Sequence, residues 1–212
     1  MIVTIDGPAA SGKSSVSREL ARKLGWSWVS TGAFYRGLGY VASVSDVDIE
    51  SEESVLKLNS EANWLVVMAP EQTEIHFNNE NVSSKVYSEK AGAIASKISQ
   101  YPRVREALLE PQRQCAESRS LIAEGRDCGS IVFPNADIKI YLTANETLRA
   151  ARRASQTGDD VETIRKKNEK RDAQDSGRKA APMQIPDGAT VIETSSLSLD
   201  EVVNKISTIV NS

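Results

Sequence analysis

The 212-residue sequence has few of the side chains on which disulfide scaffolds, zinc sites and hydrolase triads depend. Its two cysteines, Cys115 and Cys128, are too few for a disulfide framework and lack a Cys-x-x-Cys spacing, so we expect reduced thiols. The single histidine, His76, argues against a His-based zinc site and against a Ser-His-Asp triad. The remaining composition is ordinary, 40% apolar and 26% charged, which argues against disorder.

Long apolar segments are also absent from the sequence. No run approaches the roughly 18 residues that a membrane-spanning helix needs. The first residues, MIVTID, lack the charged region and the cleavage site of a signal peptide. We therefore expect a cytoplasmic protein without membrane contact. A length of 212 residues predicts one large domain, or one core domain with small insertions.

Charged residues are distributed unevenly along a chain whose net charge is −3. Residues 44–61 contain six acidic residues and one basic residue, whereas residues 149–179 contain ten basic and six acidic residues, a net +4. A solvated helix face is the common explanation for such a basic stretch, and an element that closes over phosphate groups is another. A nucleic-acid surface is disfavoured, because the whole chain is acidic and has no aromatic-plus-basic RNA signature.

Short apolar runs alternate with amphipathic patterns along most of the chain. The predicted strands are residues 2–5, 28–30, 121–123, 138–142 and 190–192. This alternation predicts the α/β class, with a parallel sheet covered by helices on both faces. Alternating patterns near residues 64–68 and 74–77, with Asn78-Asn79 near their turn, predict a separate small antiparallel insertion.

Two helix boundaries can be predicted from local chemistry. Val16, Leu20 and Leu24 recur on one helix face, and Gly25 is placed to close that helix as its C′ residue. Residues 198–201, Ser-Leu-Asp-Glu, form a capping box that starts the last helix. That helix then carries valine and isoleucine along one side, so we expect it to be amphipathic.

Residues 7–14, GPAASGKS, match the pattern G-x-x-x-x-G-K-[ST] and lie between a predicted strand and a predicted helix. Gly7 and Gly12 permit backbone conformations closed to other residues, so that successive N–H groups can approach an anion. Lys13 places a cation on the β- and γ-phosphates, and Ser14 offers a hydroxyl to Mg²⁺. A plain strand-to-helix turn is the alternative, but motif and context together predict a nucleoside-triphosphate site.

Residues 30–36, STGAFYR, follow the second predicted strand and are candidates for an acceptor site. Ligands of open parallel sheets bind beyond the carboxyl ends of strands, so this loop is expected to face the same crevice. Arg36 can bind a phosphate with two N–H groups, and Tyr35 can pack on a planar base. The alternative is a helix start that carries a surface Tyr-Arg pair.

Residues 124–127, EGRD, directly follow the third predicted strand and offer both charges to the same crevice. Asp127 could bind Mg²⁺ or accept from an exocyclic amine, and Arg126 offers a phosphate contact. A pair between these two neighbours is the alternative, but adjacent side chains at a strand end point to opposite sides and seldom pair. No N-K-x-D guanine-reading element occurs, which argues against a GTPase.

Five segments together resemble the bacterial-type cytidylate kinases, within the nucleoside-monophosphate kinase superfamily. They are GPAASGKSS, STGAFYR, YPRVREALL, EGRDCGSIVFP and DSGRKAAP, and the match runs nearly end to end. The resemblance implies a P-loop NTPase fold in a single domain, 1–212: a three-layer sandwich with a central parallel sheet. The core would comprise residues 1–40, 100–150 and 185–212, with a small mixed or antiparallel monophosphate-binding insertion at about 41–99 and a helical lid at about 151–182.

The resemblance also implies an activity, namely transfer of the γ-phosphoryl group of ATP to CMP or dCMP. ATP and Mg²⁺ would be the cofactors, CMP and dCMP the partners, and a monomer the working form, without nucleic acid or membrane. Phosphoryl transfer needs positioning and positive charge rather than covalent chemistry, so we expect no dedicated general base. A P-loop kinase of another small metabolite and a P-loop switch that hydrolyses slowly are the rival hypotheses.

The resemblance assigns roles residue by residue. The ATP phosphates would be held by Gly7, Pro8, Ala9, Ala10, Ser11, Gly12, Lys13, Ser14 and Ser15, with Mg²⁺ on Ser14. The acceptor would be bound by Thr31, Tyr35 and Arg36 in the monophosphate loop, by Ser96, Arg105 and Asp127 at the cytosine ring, by Arg126 and Arg178 at phosphates, and by Arg171 and Asp175 at the pentose. The catalytic charge would come from Lys13, Arg126, Arg171 and Arg178.

Three positions depart from the pattern of the resembled family. Tyr87 stands where relatives commonly carry an arginine, and Glu124 replaces the more usual aspartate before Gly-Arg-Asp. Pro111 falls inside a helix predicted over residues 102–117 and is expected to kink it or to end its first half. Cys115 is expected in the core, and Cys128 is expected to be an incidental thiol, because no histidine accompanies it.

Overall fold

Two sheets organise the protein in a computed structural model that describes residues 1–117, 119–178 and 180–212, with side chains at 89 and 156 excepted. The strands within these ranges are β1 (Ile2–Asp6), β2 (Ser27–Ser30), β3 (Trp64–Met68), β4 (Thr73–Phe77), β5 (Glu80–Asn81), β6 (Leu121–Gly125), β7 (Ile138–Thr143) and β8 (Thr190–Glu193). The larger sheet has the order β2-β6-β1-β7-β8, and each neighbouring pair is parallel. The predicted central parallel sheet is therefore confirmed.

Helices cover both faces of this sheet. Within the described residues they are α1 (Lys13–Leu24), α2 (Gly32–Val44), α3 (Glu52–Glu61), α4 (Ser83–Val86), α5 (Glu89–Ile98), α6 (Pro102–Gln114), α7 (Glu146–Thr157), α8 (Val161–Ser176) and α9 (Leu199–Val210), with a π-helical turn at Cys128–Val132. None of these helices is long and apolar enough to cross a membrane.

The core consists of two apolar layers, one on each face of the sheet. Val3 and Ile5 of β1 pack with Leu20 of α1 and Ile206 of α9 on one side. On the other side, residues of α2 and α6 pack against β2 and β6; the buried members of this layer include Val29, Leu38, Val104, Leu108, Leu121 and Ala123. Strands of a parallel sheet are buried on both faces, which explains their continuous apolar runs. The predicted three-layer arrangement is confirmed.

Both helix boundaries that local chemistry predicts are confirmed. Gly25 ends α1 with φ 68°, a left-handed conformation that glycine adopts readily, and its N–H donates to the carbonyl of Ala21. At α9 the Ser198 side chain accepts from the Glu201 N–H, while the Glu201 side chain accepts from the Ser198 N–H. This reciprocal pair satisfies two N–H groups that would otherwise lack a helical partner.

The smaller sheet is antiparallel, in the order β3-β4-β5. The pattern of residues 64–68 and 74–77 correctly predicts β3 and β4, with Trp64 opposite Phe77. Asn78 and Asn79, at φ 51° and 66°, form the turn from β4 to β5 rather than from β3 to β4. The sequence pattern missed β5 because two exposed residues carry no alternation.

This small sheet packs on α2, the helix that carries the candidate acceptor residues. At Gly37 of α2 an added Cβ would lie 2.8 Å from Trp64 Cζ3 and 3.1 Å from Ile75 Cγ2. Glycine at this position therefore lets the sheet approach the helix backbone. The contact ties the predicted insertion to the helix that carries Tyr35 and Arg36.

The helix α6 continues through Pro111 to Gln114, so the expectation that Pro111 ends its first half is wrong. Pro111 is exposed and lies in the last turn of the helix, where it removes one N–H donor without ending the helix. The helices α7 and α8 form most of the predicted lid and pack together around Ala150, Ala154 and Ile164. Lys179, the last base of the +4 stretch, lies outside the described residues.

Candidate active site

A cavity of about 1120 Å³ opens beside the carboxyl ends of β2 and β6 and is bounded on the other side by α8. It contains residues 9–15 of the predicted phosphate loop. It also contains every residue predicted for the acceptor: Thr31, Tyr35, Arg36, Ser96, Arg105, Arg126, Asp127, Arg171, Asp175 and Arg178. Residues from distant parts of the sequence are thus brought to one place, at the sheet edge where ligands of such folds bind.

The phosphate loop has the conformation that its glycines predict. Gly7 has φ 147°, and a Cβ there would overlap the carbonyl oxygen of Leu142. Gly12 has φ 94° and directly precedes α1, so the loop ends at the positive end of a helix. Gly7 and Pro8 lie behind the cavity lining, and their carbonyl oxygens accept from Arg126 and Lys13 respectively.

Lys13 is buried at the start of α1. Its Nζ donates to the Pro8 carbonyl at 2.7 Å and lies 3.5 Å from Ser11 Oγ. Burial lowers the pKa of Lys13 to about 7, and repulsion from Arg126 acts in the same direction. An anion bound beside Lys13 would therefore raise its pKa again and favour the charged ammonium form.

Ser14 and Glu124 join the phosphate loop to β6. Ser14 Oγ donates to Glu124 Oε1 at 3.0 Å. The Glu124 side chain is thus long enough to reach the phosphate loop. Among the described residues no cluster of three His, Cys, Asp or Glu side chains is suited to a metal. One hydroxyl and one carboxylate oxygen nevertheless fit Mg²⁺, which takes few protein ligands and completes its shell with phosphates and water.

The part of the cavity predicted to bind the cytosine ring contains a buried ion pair between Arg105 of α6 and Asp127, which follows β6. Arg105 also donates to the Ser99 carbonyl at 3.2 Å, and its guanidinium lies over the Tyr35 ring, 5.4 Å from the centroid. Burial raises the pKa of Asp127, while Arg105 and Arg178 act in the opposite direction. The cavity therefore presents a carboxylate and a guanidinium side by side in a region of low solvent access.

Thr31 links the acceptor loop to the end of β6. Its Oγ1 and its N–H both bind the Glu124 carbonyl oxygen, at 3.0 and 2.9 Å. Ser96 of α5 lies across the cavity, and its Oγ donates to Gln174 of α8 at 3.1 Å. Ser96 thus contacts the predicted lid here rather than the Arg105–Asp127 pair.

The predicted lid supplies charged side chains to the part of the cavity near the phosphate loop. Arg126 Nε lies 3.0 Å from Asp175 Oδ2, and Arg178 also pairs with Asp175. Arg126 and Asp127 have different partners, as their opposite directions from the strand predict. Burial, followed by the neighbouring Arg126, lowers the pKa of Arg171 to about 10. Arginine side chains that repel one another at close range indicate a binding site for an anion.

Asp172 and Arg149 join this network and were missed by sequence reasoning. Asp172 Oδ1 accepts from the Ala9 N–H at 2.8 Å and from Arg126 at 3.2 Å, while Oδ2 accepts from Arg149 at 2.6 Å. Arg149 also donates to the Ala9 carbonyl at 2.9 Å. Asp172 lies one turn before Asp175 on α8, and this helical spacing was the available signal.

The two thiols, Cys115 and Cys128, are not among the residues that line the cavity. Cys128 is fully buried, its N–H donates to Asp6 Oδ1 at 2.8 Å, and burial raises the pKa of its thiol well above the usual value. Cys115 is half-buried and packs at the edge of the α2–α6 apolar layer. A buried thiol with a raised pKa is a poor nucleophile.

The fold and the phosphate loop define the class, a P-loop protein of the α/β type. Two solved structures have the same fold over the whole chain. A protein from Eubacterium ventriosum has a TM-score of 0.58 at 12% identity, covering 100% of this chain and 99% of its own. Shikimate kinase from Bacteroides thetaiotaomicron has a TM-score of 0.50 at 10% identity, with the same coverage.

The sequence narrows the class to one family. A model of the family described as cytidylate kinase matches residues 3–212. The cytidylate kinase of Bdellovibrio bacteriovorus is 52% identical over 207 residues, covering 97% of this chain and 95% of the relative. That of a Geobacillus species is 37% identical over 215 residues, covering 99% and 96%. The chain belongs to the cytidylate kinase family.

Proposed function

We propose that this protein catalyses the ATP-dependent phosphorylation of CMP and dCMP to CDP and dCDP. The observation that carries the proposal is the buried Arg105–Asp127 pair, which lies in the same cavity as the phosphate loop. The pair supplies a base-reading acceptor and donor, and the loop supplies a triphosphate site. Membership of the cytidylate kinase family supports the same reading.

The chemistry of cytosine matches the pair. Cytosine offers an exocyclic amine beside two acceptor atoms, so its reader needs one acceptor and at least one donor. Asp127 provides the acceptor and Arg105 the donor, with Ser96 as a second donor when it leaves Gln174. Uracil would turn an oxygen toward the Asp127 carboxylate and leave buried polar groups unpaired, which costs roughly 1–3 kcal/mol for each group.

The opposite end of the cavity suits the donor nucleotide. Backbone N–H groups of the loop and Lys13 would hold the phosphates, and Ser14 and Glu124 would hold Mg²⁺. A bound Mg²⁺ neutralises charge on the β- and γ-phosphate oxygens. The cavity continues past the loop to Leu197 and Val202, which leaves room for the donor's nucleoside.

Between the two nucleotides, this chain contributes positioning and positive charge. Arg126, Arg171 and Arg178 converge on the region between the base-reading pair and the phosphate loop. Such charges stabilise the transferring group without taking part in covalent steps. Residues of α8 contact Ala9 and Ser96 across the cavity, so a movement of α8 would widen the path by which nucleotides exchange.

An acceptor panel tests this proposal directly. ADP release is measured with ATP and Mg²⁺ against CMP, dCMP, UMP and AMP, with Lys13→Ala as the control for contaminating kinases. We expect CMP and dCMP to be phosphorylated with kcat/KM values about 100-fold or more above those for UMP and AMP. A preference for AMP, or no acceptor activity, would show that the base-reading assignment is wrong.

We further infer that the protein works as a monomer, because the phosphate loop and all the predicted acceptor residues meet in one cavity without a residue from a second subunit being needed. Light scattering during size-exclusion chromatography, with and without nucleotides, tests this inference, and a dimer at assay concentration would contradict it. The cytoplasmic location stays a prediction from the sequence.

A further inference from the structure

Arg36 of α2 is surrounded by groups that hold its guanidinium in one place. The guanidinium carbon lies 5.7 Å from the centroid of the Tyr87 ring. Nη1 donates to the carbonyl oxygens of Val86 and Ser88, at 3.2 and 3.3 Å. A Cβ at Gly92 would lie 3.1 Å from Nη2, so glycine at that position leaves room for the guanidinium against α5.

Tyr87 is itself fixed to the small antiparallel sheet. Its hydroxyl donates to the Thr73 carbonyl of β4 at 2.5 Å. Thr73 Oγ1 in turn accepts from the Ser30 N–H at 2.8 Å, at the start of the acceptor loop. Burial raises the pKa of Tyr87 far above the physiological range, so the hydroxyl keeps its proton and remains a donor. The ring under Arg36 is therefore anchored, through Thr73, to Ser30 at the start of the segment that contains Arg36.

This geometry defines what Tyr87 can and cannot do. A tyrosine has one hydroxyl hydrogen, and here it is used on Thr73, so Tyr87 does not donate to a phosphate. Its ring face, however, attracts a guanidinium within about 6 Å. An arginine that is already held loses less side-chain freedom when it binds an anion, which increases affinity.

We propose that Tyr87 is a positioning residue that preorganises Arg36 for the phosphate of the acceptor nucleotide. The inference rests on the proposed assignment of Arg36 to that phosphate. The neutral Tyr87 ring adds no charge of its own, so its contribution is to the placement of the Arg36 cation.

Steady-state kinetics of the full chain test the proposal, with CMP and ATP varied separately. Tyr87→Leu is expected to raise the KM for CMP about 10-fold, with kcat and the KM for ATP within about 2-fold. Tyr87→Phe keeps the ring and loses only the Thr73 contact, so we expect about a 3-fold rise. Tyr40→Leu is the matched control, because Tyr40 lies in the same apolar cluster. It is expected to leave the ratio of the two KM values unchanged.

A double-mutant cycle separates positioning from general destabilisation. Arg36→Ala is expected to raise the KM for CMP, and adding Tyr87→Leu to it is expected to change that KM no further. Additive effects of the two substitutions, or an equal rise of both KM values in Tyr87→Leu alone, would overturn the role of Tyr87. An unchanged KM for CMP in Arg36→Ala would instead overturn the assignment of Arg36. Tyr87→Met replaces Tyr87→Leu if thermal unfolding shows that the leucine variant does not fold.

Discussion

The two ends of the cavity are built in different ways. The proposed donor end is one continuous segment, the phosphate loop of residues 7–15, of which residues 9–15 line the cavity. The acceptor end collects single side chains from α2, α5, α6, the end of β6 and α8. Its key contacts join residues that are 22 and 78 positions apart, as in Arg105–Asp127 and Ser96–Gln174.

This difference separates a generic function from a specific one. Every triphosphate offers the same oxygens, so a backbone loop that any P-loop protein can form is sufficient at the donor end. A base must be distinguished by the pattern of its donors and acceptors, which requires individual side chains in fixed positions. On the proposed assignment the acceptor end determines which substrate is bound, and the two ends should be separable by substitution.

The substitution with the largest expected effect impairs the donor end alone. Lys13→Ala removes the cation from the phosphate loop, and kcat is expected to fall by about 1,000-fold. CMP affinity, measured by calorimetric titration, is expected to stay within about 2-fold, because Lys13 does not touch the Arg105–Asp127 pair. Lys23→Ala, an exposed lysine on the same helix, is the control and should retain activity. A comparable loss of CMP affinity in Lys13→Ala would contradict the separation.

The substitution with the next largest expected effect impairs the acceptor end. Asp127→Ala removes the proposed acceptor for the cytosine amine and leaves Arg105 buried without its carboxylate. We expect CMP affinity to fall about 100-fold and ATP affinity to change by less than about 3-fold, in separate titrations. The exposed Asp187 provides the control substitution Asp187→Ala, which should change neither affinity. Equal losses of both affinities in Asp127→Ala would count against the base-reading role.

A smaller effect concerns the residue that joins the two ends. Asp172→Asn keeps an oxygen for the Ala9 N–H but loses the charge that balances Arg126 and Arg149. We expect kcat to fall about 10-fold while both KM values change little, because misplaced cations stabilise the transferring group less well. Asp159→Asn, at an exposed position next to α8, is the control. An unchanged kcat would show that the Asp172 contacts do not position the arginines.

The smallest expected effect is the uptake of a proton when ATP binds, and we expect it at the donor end only. Lys13 has a pKa of about 7 in the nucleotide-free protein, below its ordinary 10.5, and a triphosphate favours its charged form. At pH 8, ATP binding should therefore take up as much as about one proton, and ATP affinity should weaken as the pH rises above 7.

Calorimetry in buffers of different ionisation enthalpy measures this uptake. The uptake should disappear in Lys13→Ala and should be absent when CMP binds. Equal proton uptake on CMP binding would show that the two ends are coupled electrostatically. The same shift affects stability: between about pH 7 and 10.5 the unfolded chain holds the Lys13 proton that the folded chain lacks. In that window the contribution of Lys13 to the unfolding free energy rises with pH.

Sequence reasoning succeeded where the chemistry is local. The strands of the parallel sheet, the end of α1 at Gly25 and the capping box of α9 all follow from short runs of residues. It failed where a feature was short or was decided by context. The two-residue β5 has no periodicity to detect, and Pro111 is tolerated because it lies on the exposed side of the last turn of α6.

The sequence by itself determined the class of fold, the phosphate loop and the family, because these depend on contiguous motifs and on apolar periodicity. Only the tertiary structure decided which side chains contact each other. Arg105 pairs with Asp127, Asp172 binds the phosphate loop, and the Tyr87 ring packs on Arg36. The physical reason is that a buried charge needs a partner within hydrogen-bond distance, whatever the separation along the chain. Which residues come that close is decided when the helices pack on the sheet.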